Sequence, residues 1–365
     1  MFRWLHSLFS GASAHAVPDA VPAPAVVPVV PPAPAPAATP PPPVPFERLA
    51  HVDGLWNGWL FDRPAGSLDL NDAEQRVLDA LAAIVASQQS GAALVRRMPG
   101  LIPQLLQSLR SDNFSGTALA RTIASDPVLV AAVVRLANSC FQSKGRTIAS
   151  VEQAVILIGQ EGLRQLITTV AFRPIIDLHS GTYTRRLASH LWAHSERCAG
   201  AARQVAAGAD DGSAPFDAFL AALLQNVGMI VSLRIMDGAA QDGPPLGSDV
   251  FLARLAHYTR SLGASIAREW HFPDTVAAAL LEQGQLQRGA ALSPLGRLLR
   301  LTDYLGKVRM LAEHGLVDGD DAALFDGLPP EAAQCYAALA EGMDGAGDDA
   351  SLDAPPVPSA RQAGA

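Results

Sequence analysis

The chain has 365 residues, 49% of them hydrophobic and 17% charged, with 27 Lys+Arg against 35 Asp+Glu for a formal net charge of −8. This is enough chain and enough apolar content to bury one large or two ordinary cores. The acidic balance, with no Lys/Arg cluster, excludes a nucleic-acid binder, which needs a basic surface to neutralise phosphates. Cys140, Cys198 and Cys335 are far apart and form no CxxC pair, so they read as buried thiols in a reducing, cytoplasmic setting.

Residues 1–17 carry Phe2, Trp4, Leu5, Leu8 and Phe9 beside Arg3 and His6. They read as a short amphipathic segment, either a weak dock for a membrane surface or protein groove or a frayed tail. Residues 18–45 hold thirteen of the 28 prolines and one charge, Asp19. Proline removes backbone donors and favours extended chain, so this Pro/Ala-rich arm is expected to be a disordered tether. Residues 46–90 form an N-terminal helical extension, in which Trp56, Trp59 and Phe61 either pack on the domain or make a partner patch. Residues 91–343 form one all-helical domain, and the small, polar stretch 344–365 a disordered tail.

Within those limits the periodicity predicts helices in order. Val77, Leu78, Leu81, Ile84 and Val85 mark 72–86, and Leu101–Leu109 follows Gly100. Asp126-Pro127 combines a capping carboxylate with a proline at the first helical position, opening an apolar helix that carries Arg135 and ends at Asn138-Ser139. Ser150-Val151-Glu152-Gln153 makes a capping box, Gly159 interrupts, and Leu163–Val170 resumes the pattern. Further helices are predicted over 183–207, 215–235, 250–270, 274–284, 291–313 and 330–342. No period-2 pattern competes, so the fold class is all-α. No apolar run reads as the roughly 18 residues that a membrane-spanning helix needs.

DPVLVAAVVRLANS (126–139) followed by SVEQAVILIGQEGLRQLI (150–167) resembles the HDOD family, the HD-related output domain of bacterial signalling proteins. Asp126, Pro127, Arg135, Asn138, Ser139, Gly159 and Arg164 stand at motif positions, MPGLIPQLLQSLR (98–110) resembles the opening helix, and the likeness runs over about 90–310. The resemblance implies a multi-helix bundle like that of the HD-superfamily metallohydrolases. It also implies where their metal ligands would fall. His194 matches the first histidine, whereas Gln225-Asn226 replaces the His-Asp pair. Tyr258-Thr259 replaces an Asp-His, Glu282-Gln283 a His-His, and Asp303 matches the last carboxylate. Neutral amides are poor substitutes for imidazole or carboxylate at a hydrolytic metal, so no metal, no cofactor and no catalysis are expected.

His194, on one face with Leu187, Leu191 and Cys198, reads as a satisfied core or pocket-lining histidine, and Asp303 as a capping or ion-pair carboxylate. Arg135 is expected to pair internally, with Asp126 or Glu152. The functional expectation is a non-catalytic signalling module that works by binding a protein partner. The alternatives are a nucleotide sensor using the emptied metal pocket and a divergent phosphohydrolase or cyclic-dinucleotide phosphodiesterase using His194 and Asp303.

Overall fold

In a computed structural model the described residues are 43–62, 69–86, 181–209, 212–239, 244–284 and 291–340, with Gln153, Gly162, Arg164, Gln165, Thr168 and Thr169. The motif positions Asp126, Pro127, Arg135, Asn138, Ser139 and Gly159, the arm 18–45 except its last residues, and both tails lie outside them. The described residues fall in one compact unit and are helical, with no strand among them.

The helices are α1 (Phe46–Phe61), α2 (Asp72–Ala86), α3 (Thr182–Ala207), α4 (Pro215–Leu224), α5 (Val227–Ala239), α6 (Asp249–Glu269), α7 (Asp274–Glu282), α8 (Pro294–Glu313) and α9 (Ala332–Ala340). Their ends are chemically marked. Asn71 and Glu74 form a reciprocal capping box at α2, the Asn71 side chain accepting from Glu74 N–H at 2.9 Å and the Glu74 carboxylate from Asn71 N–H at 3.0 Å. Ser248 and Ser293 cap α6 and α8 through Phe251 and Gly296 N–H. At α3 the cap is borrowed from far along the chain, because Asp237 accepts from Tyr183 N–H at 2.7 Å and from the Thr184 hydroxyl.

The bundle is built around α3, which packs against α4, α5, α8 and α9. Leu187, Leu191, Cys198, Ala201 and Val205 form its buried stripe, and α8 carries Leu299, Leu301, Tyr304, Leu305 and Val308 against it. Each fully buried aliphatic of this kind contributes about 2 kcal/mol. Two glycines let helices approach closely. A Cβ at Gly228 of α5 would run into the Thr259 carbonyl of α6, and one at Gly306 of α8 would lie 2.6 Å from the Cys198 sulfur and 3.0 Å from His194 Nε2.

Three sequence expectations change. The single helix expected over 215–235 is two, broken at Gln225-Asn226, where the Asn226 carbonyl accepts the first bond of α5 from Ile230 N–H. The continuous apolar run on both sides hides that break. Residues 215–239 contain an 18-residue stretch of mean hydropathy 1.7, enough by length and composition for a membrane span and against the reading that no run does, but 78% of that stretch is buried inside the bundle. Finally, Trp56, Trp59 and Phe61 belong to a helix, α1, that precedes 72–86, the first helix predicted from periodicity. Trp56 and Phe61 are buried, so in α1 the packing reading holds over the exposed patch.

Candidate functional site

Helix α3 carries His194 into the centre, and α8 brings Asp303 against it. His194 is 1% exposed, and its Nε2 lies 3.2 Å from the Asp303 carbonyl oxygen and 3.6 Å from the nearer Asp303 carboxylate oxygen. The turn between α4 and α5 places the Asn226 amide nitrogen 3.1 Å from His194 Nδ1, 3.0 Å from Ser195 Oγ and 3.2 Å from the Leu191 carbonyl. The Leu191 carbonyl can only accept, so it is the NH₂ end of Asn226 that faces it. That orientation makes Nδ1 an acceptor and leaves the ring proton on Nε2, where it points at the Asp303 carbonyl. Trp56 closes the remaining face, its ring centroid 5.1 Å from that of His194. Burial lowers the His194 pKa to about 4, despite the Asp303 carboxylate beside it. The imidazole is neutral and both nitrogens are occupied.

Asp303 is held by cations of the protein itself. Lys307, one turn further along α8, places Nζ 2.7 Å from Asp303 Oδ2 and 2.7 Å from Asp53 Oδ1 of α1, and Arg260 of α6 lies 3.8 Å from Oδ2. Burial alone would raise the Asp303 pKa. Lys307, Arg260 and His194 overcome that and hold it well below the usual carboxylate range. Burial works against the charge on Lys307 too, but the two carboxylates raise its pKa above the ordinary lysine value. Asp53–Lys307–Asp303 is therefore a closed charged triad. Asp303 Oδ1 has no hydrogen-bond partner.

These residues do not fit a divalent metal. His194 Nε2 bears its proton, and burial raises the Cys198 thiol far above its ordinary pKa, with its sulfur 3.2 Å from the Thr302 carbonyl that it donates to. A metal at Asp303 would have to displace an ammonium bound to two carboxylates. Among the described residues no group of three His, Cys, Asp or Glu gathers in a way that could hold a metal ion.

The other predicted positions separate into two places. Glu282 and Gln283 serve the corner between α7 and α8. The Glu282 carboxylate accepts from Ser293 N–H at 3.1 Å and from its hydroxyl at 2.9 Å. Gln283 donates to the Gly296 carbonyl at 2.9 Å and accepts from Arg300 Nε at 3.3 Å. Gln225 and Thr259 instead line a cavity of about 90 Å³ beside the triad, together with Asp53, Trp56, Asn226, Arg260 and Lys307. Thr259 turns its hydroxyl onto the Ala256 carbonyl of its own helix. The Gln225 amide is 4% exposed and makes no conventional hydrogen bond at either end, only a weak contact with the Cys198 thiol. Arg164 lies over the Phe216 ring at 4.9 Å. A larger cavity of about 260 Å³, where Pro43, Val205, Leu298 and Gln334 meet, involves none of the predicted positions.

Sequence reading missed Lys307, Arg260 and Asp53. Lys307 carries a local signal, since it stands four residues after Asp303 on a helix. Arg260 adjoins Thr259 but had no expected role. Asp53 is 254 residues from Lys307, and nothing local announces the contact.

The described residues form an all-helical bundle whose central helix presents a histidine to an aspartate on a neighbouring helix. Residues 95–286, more than half of the chain, match the HDOD domain family, and the chain belongs to that family. The match is shorter than the 90–310 expected from the motifs and stops before Asp303 and Lys307. Among solved structures, the chain is similar to an HDOD domain protein of unknown function from Geobacter sulfurreducens (20% identity, 73% of this chain and 89% of that one, TM-score 0.50). It is also similar to a protein of Shewanella amazonensis named as a candidate metal-dependent phosphohydrolase (18% identity, 75% and 100%, TM-score 0.52). At these identities the likeness establishes the fold. A curated relative, an uncharacterized protein of Treponema pallidum, is 22% identical over 192 residues, which are 50% of this chain and 36% of that protein.

Proposed function

We propose that this chain is a non-catalytic signalling module that acts by binding a protein partner. The observation that carries the first half is the Asp53–Lys307–Asp303 triad: the one carboxylate retained from the superfamily's ligand positions is neutralised by a lysine, not left available to an ion. Beside it, His194 is a hydrogen-bonded neutral ring whose donor points at a backbone carbonyl. Metal-assisted hydrolysis needs several convergent ligands, and among the described residues no group of three His, Cys, Asp or Glu converges. On this reading the fold serves for what its surface engages, and the signalling-type family to which the chain belongs supports a protein-binding role. The triad also weighs against a phosphodiesterase using His194 and Asp303.

The test has two parts on the purified full-length chain. Elemental analysis is expected to find no stoichiometric iron, manganese or zinc, and assays with cyclic dinucleotides no turnover above background. Stoichiometric metal with turnover that His194→Ala abolishes would sink the proposal. An affinity pulldown followed by reconstitution from purified components is expected to give a saturable complex with a signalling protein; no complex with any recovered candidate would remove the partner-binding half.

A further inference from the structure

Near its C-terminal end, helix α1 meets two histidines through a single ring. The half-buried Trp59 lies with its ring centroid 4.7 Å from that of His190 on α3 and 4.5 Å from that of His314, the residue that caps α8. The two imidazoles stand edge to face, 6.4 Å apart between centroids. His190 is half-buried, and the exposed His314 donates from Nδ1 to the Met310 carbonyl at 2.8 Å. Helix α1 packs on α8 and α3, so each histidine belongs to one of the two helices that hold it. The same helix carries Asp53 to Lys307 and Trp56 to the His194 ring.

The surrounding charges make this contact sensitive to protons. The carboxylates near the cluster are engaged elsewhere: Glu313 with Arg197 at 2.7 Å and Arg309 at 3.1 Å, Asp53 with Lys307. Asp62, at the C-cap of α1, lies 3.5 Å from Arg186 in a largely exposed pair that contributes little. Burial, His314 and then Arg186, one turn before it on α3, lower the His190 pKa below its ordinary value of 6.5. His194, one turn beyond, is neutral. A proton on one ring gains a weak attraction to the tryptophan face. A second proton 6.4 Å away, in surroundings drier than bulk water, repels the first more strongly than that. The docked helix therefore favours neutral imidazoles and the undocked one takes up protons more readily. Docking is strongest above the ordinary histidine range and weakens as pH falls through it.

We propose that Trp59, His190 and His314 form a proton-operated latch on α1: with both imidazoles neutral the helix stays docked, and protonation of the pair loosens it from α3 and α8. Loosening takes Trp56 off the His194 ring and Asp53 off Lys307, so the latch controls access to the centre of the bundle. This inference is separate from the partner-binding proposal and stands or falls without it.

Amide hydrogen exchange of the full-length chain, corrected for the intrinsic pH dependence of exchange, tests this peptide by peptide. Between about pH 7.5 and about pH 5.5, exchange in 46–61 is expected to speed up about ten-fold or more relative to α6, the factor that one linked histidine supplies over that range. Either His190→Gln or His314→Gln is expected to remove most of that acceleration, because a single imidazolium meets no second cation of the pair. Trp59→Leu is expected to give fast exchange in α1 at both pH values. If His190→Gln does not fold, the exposed His314→Gln decides. Equal acceleration in α1 and α6 would mean loss of the whole bundle and would overturn the latch. So would an acceleration that persists in both histidine variants, or one that only His194→Gln abolishes.

Discussion

Two buried carboxylates in this bundle are neutralised in different ways. Glu74, at the start of α2, is fully buried and receives backbone N–H groups of Asn71, Gly247 and Ser248 together with the Ser248 hydroxyl, all within 3.0 Å. Burial raises its pKa, and the N–H bonds from Ser248 and Asn71 outweigh that and lower it. Those donors belong to a helix cap and a loop, and they tie α2 to the beginning of α6. Asp303 has one oxygen on Lys307 and Arg260 and the other without a hydrogen bond. A carboxylate met by fixed dipoles joins two elements of structure. One met by cations, as Asp303 is by Lys307 and Arg260, depends on charge pairing and keeps one oxygen without a hydrogen bond.

That contrast can be broken experimentally. The largest effect is expected at Lys307. Lys307→Met leaves Asp303 buried against a long Arg260 contact, and chemical denaturation should show a loss of about 3–5 kcal/mol. The double variant Lys307→Met/Asp303→Asn should recover much of it, since the buried carboxylate is gone and the charges that lose a partner, Asp53 and Arg260, are partly solvated. If the single variant costs less than about 1 kcal/mol, the triad is not the organising feature described here.

Next in size is a pH effect. Burial holds His194 near 4 in the folded protein, whereas an unfolded histidine titrates near about 6.5. The unfolded chain therefore binds more protons between those values, and stability falls as pH drops from about 6.5 towards 4, by up to about 3 kcal/mol. His194→Gln should flatten that dependence, leaving a smaller contribution from His190, whose pKa is also lowered by burial, His314 and Arg186. Asp303, held low in the folded state, changes protonation only below this window and does not oppose the slope.

On the other side of the comparison, Glu74→Gln keeps size and shape but presents an NH₂ group to donors. A loss of about 2 kcal/mol is expected by thermal or urea unfolding, with no change in the pH slope assigned to His194. The smallest effect is expected at the surface pair of Arg197 with Glu313, 2.7 Å apart and about one-third exposed on both sides. Arg197→Ala should cost below about 1 kcal/mol, and less at high salt. A larger loss there would mean that charge position, and not burial, ranks these contacts.

Much of the bundle is legible in the sequence. Apolar spacing places α2 over 72–86 and α6 within one residue of its observed ends, because those helices bury one stripe and cap with polar residues. The α4–α5 break escapes because a buried helix pair is apolar throughout, so periodicity has no contrast to work with. His194, Asn226 and Asp303, which the family resemblance singles out, come together in the structure. Glu282 and Gln283 do not join them and are held instead by Ser293, Gly296 and Arg300. Asp53 and Trp56 are invisible to local patterning. Their role exists only because α1 folds back over a site that lies more than 130 residues further along the chain.

That return of α1 has a consequence for modularity. The family segment ends at residue 286 and begins at 95, yet the triad is drawn from residues 53, 303 and 307, all outside it. A graft of 95–286 into another protein would carry His194, Asn226 and Arg260 while leaving behind the tryptophan that covers the ring and all three members of the charged triad. The recognisable module is thus shorter than the cooperative unit. Boundaries for fusions and truncations of this chain are better set by the Asp53–Lys307 contact than by the reach of the family motif.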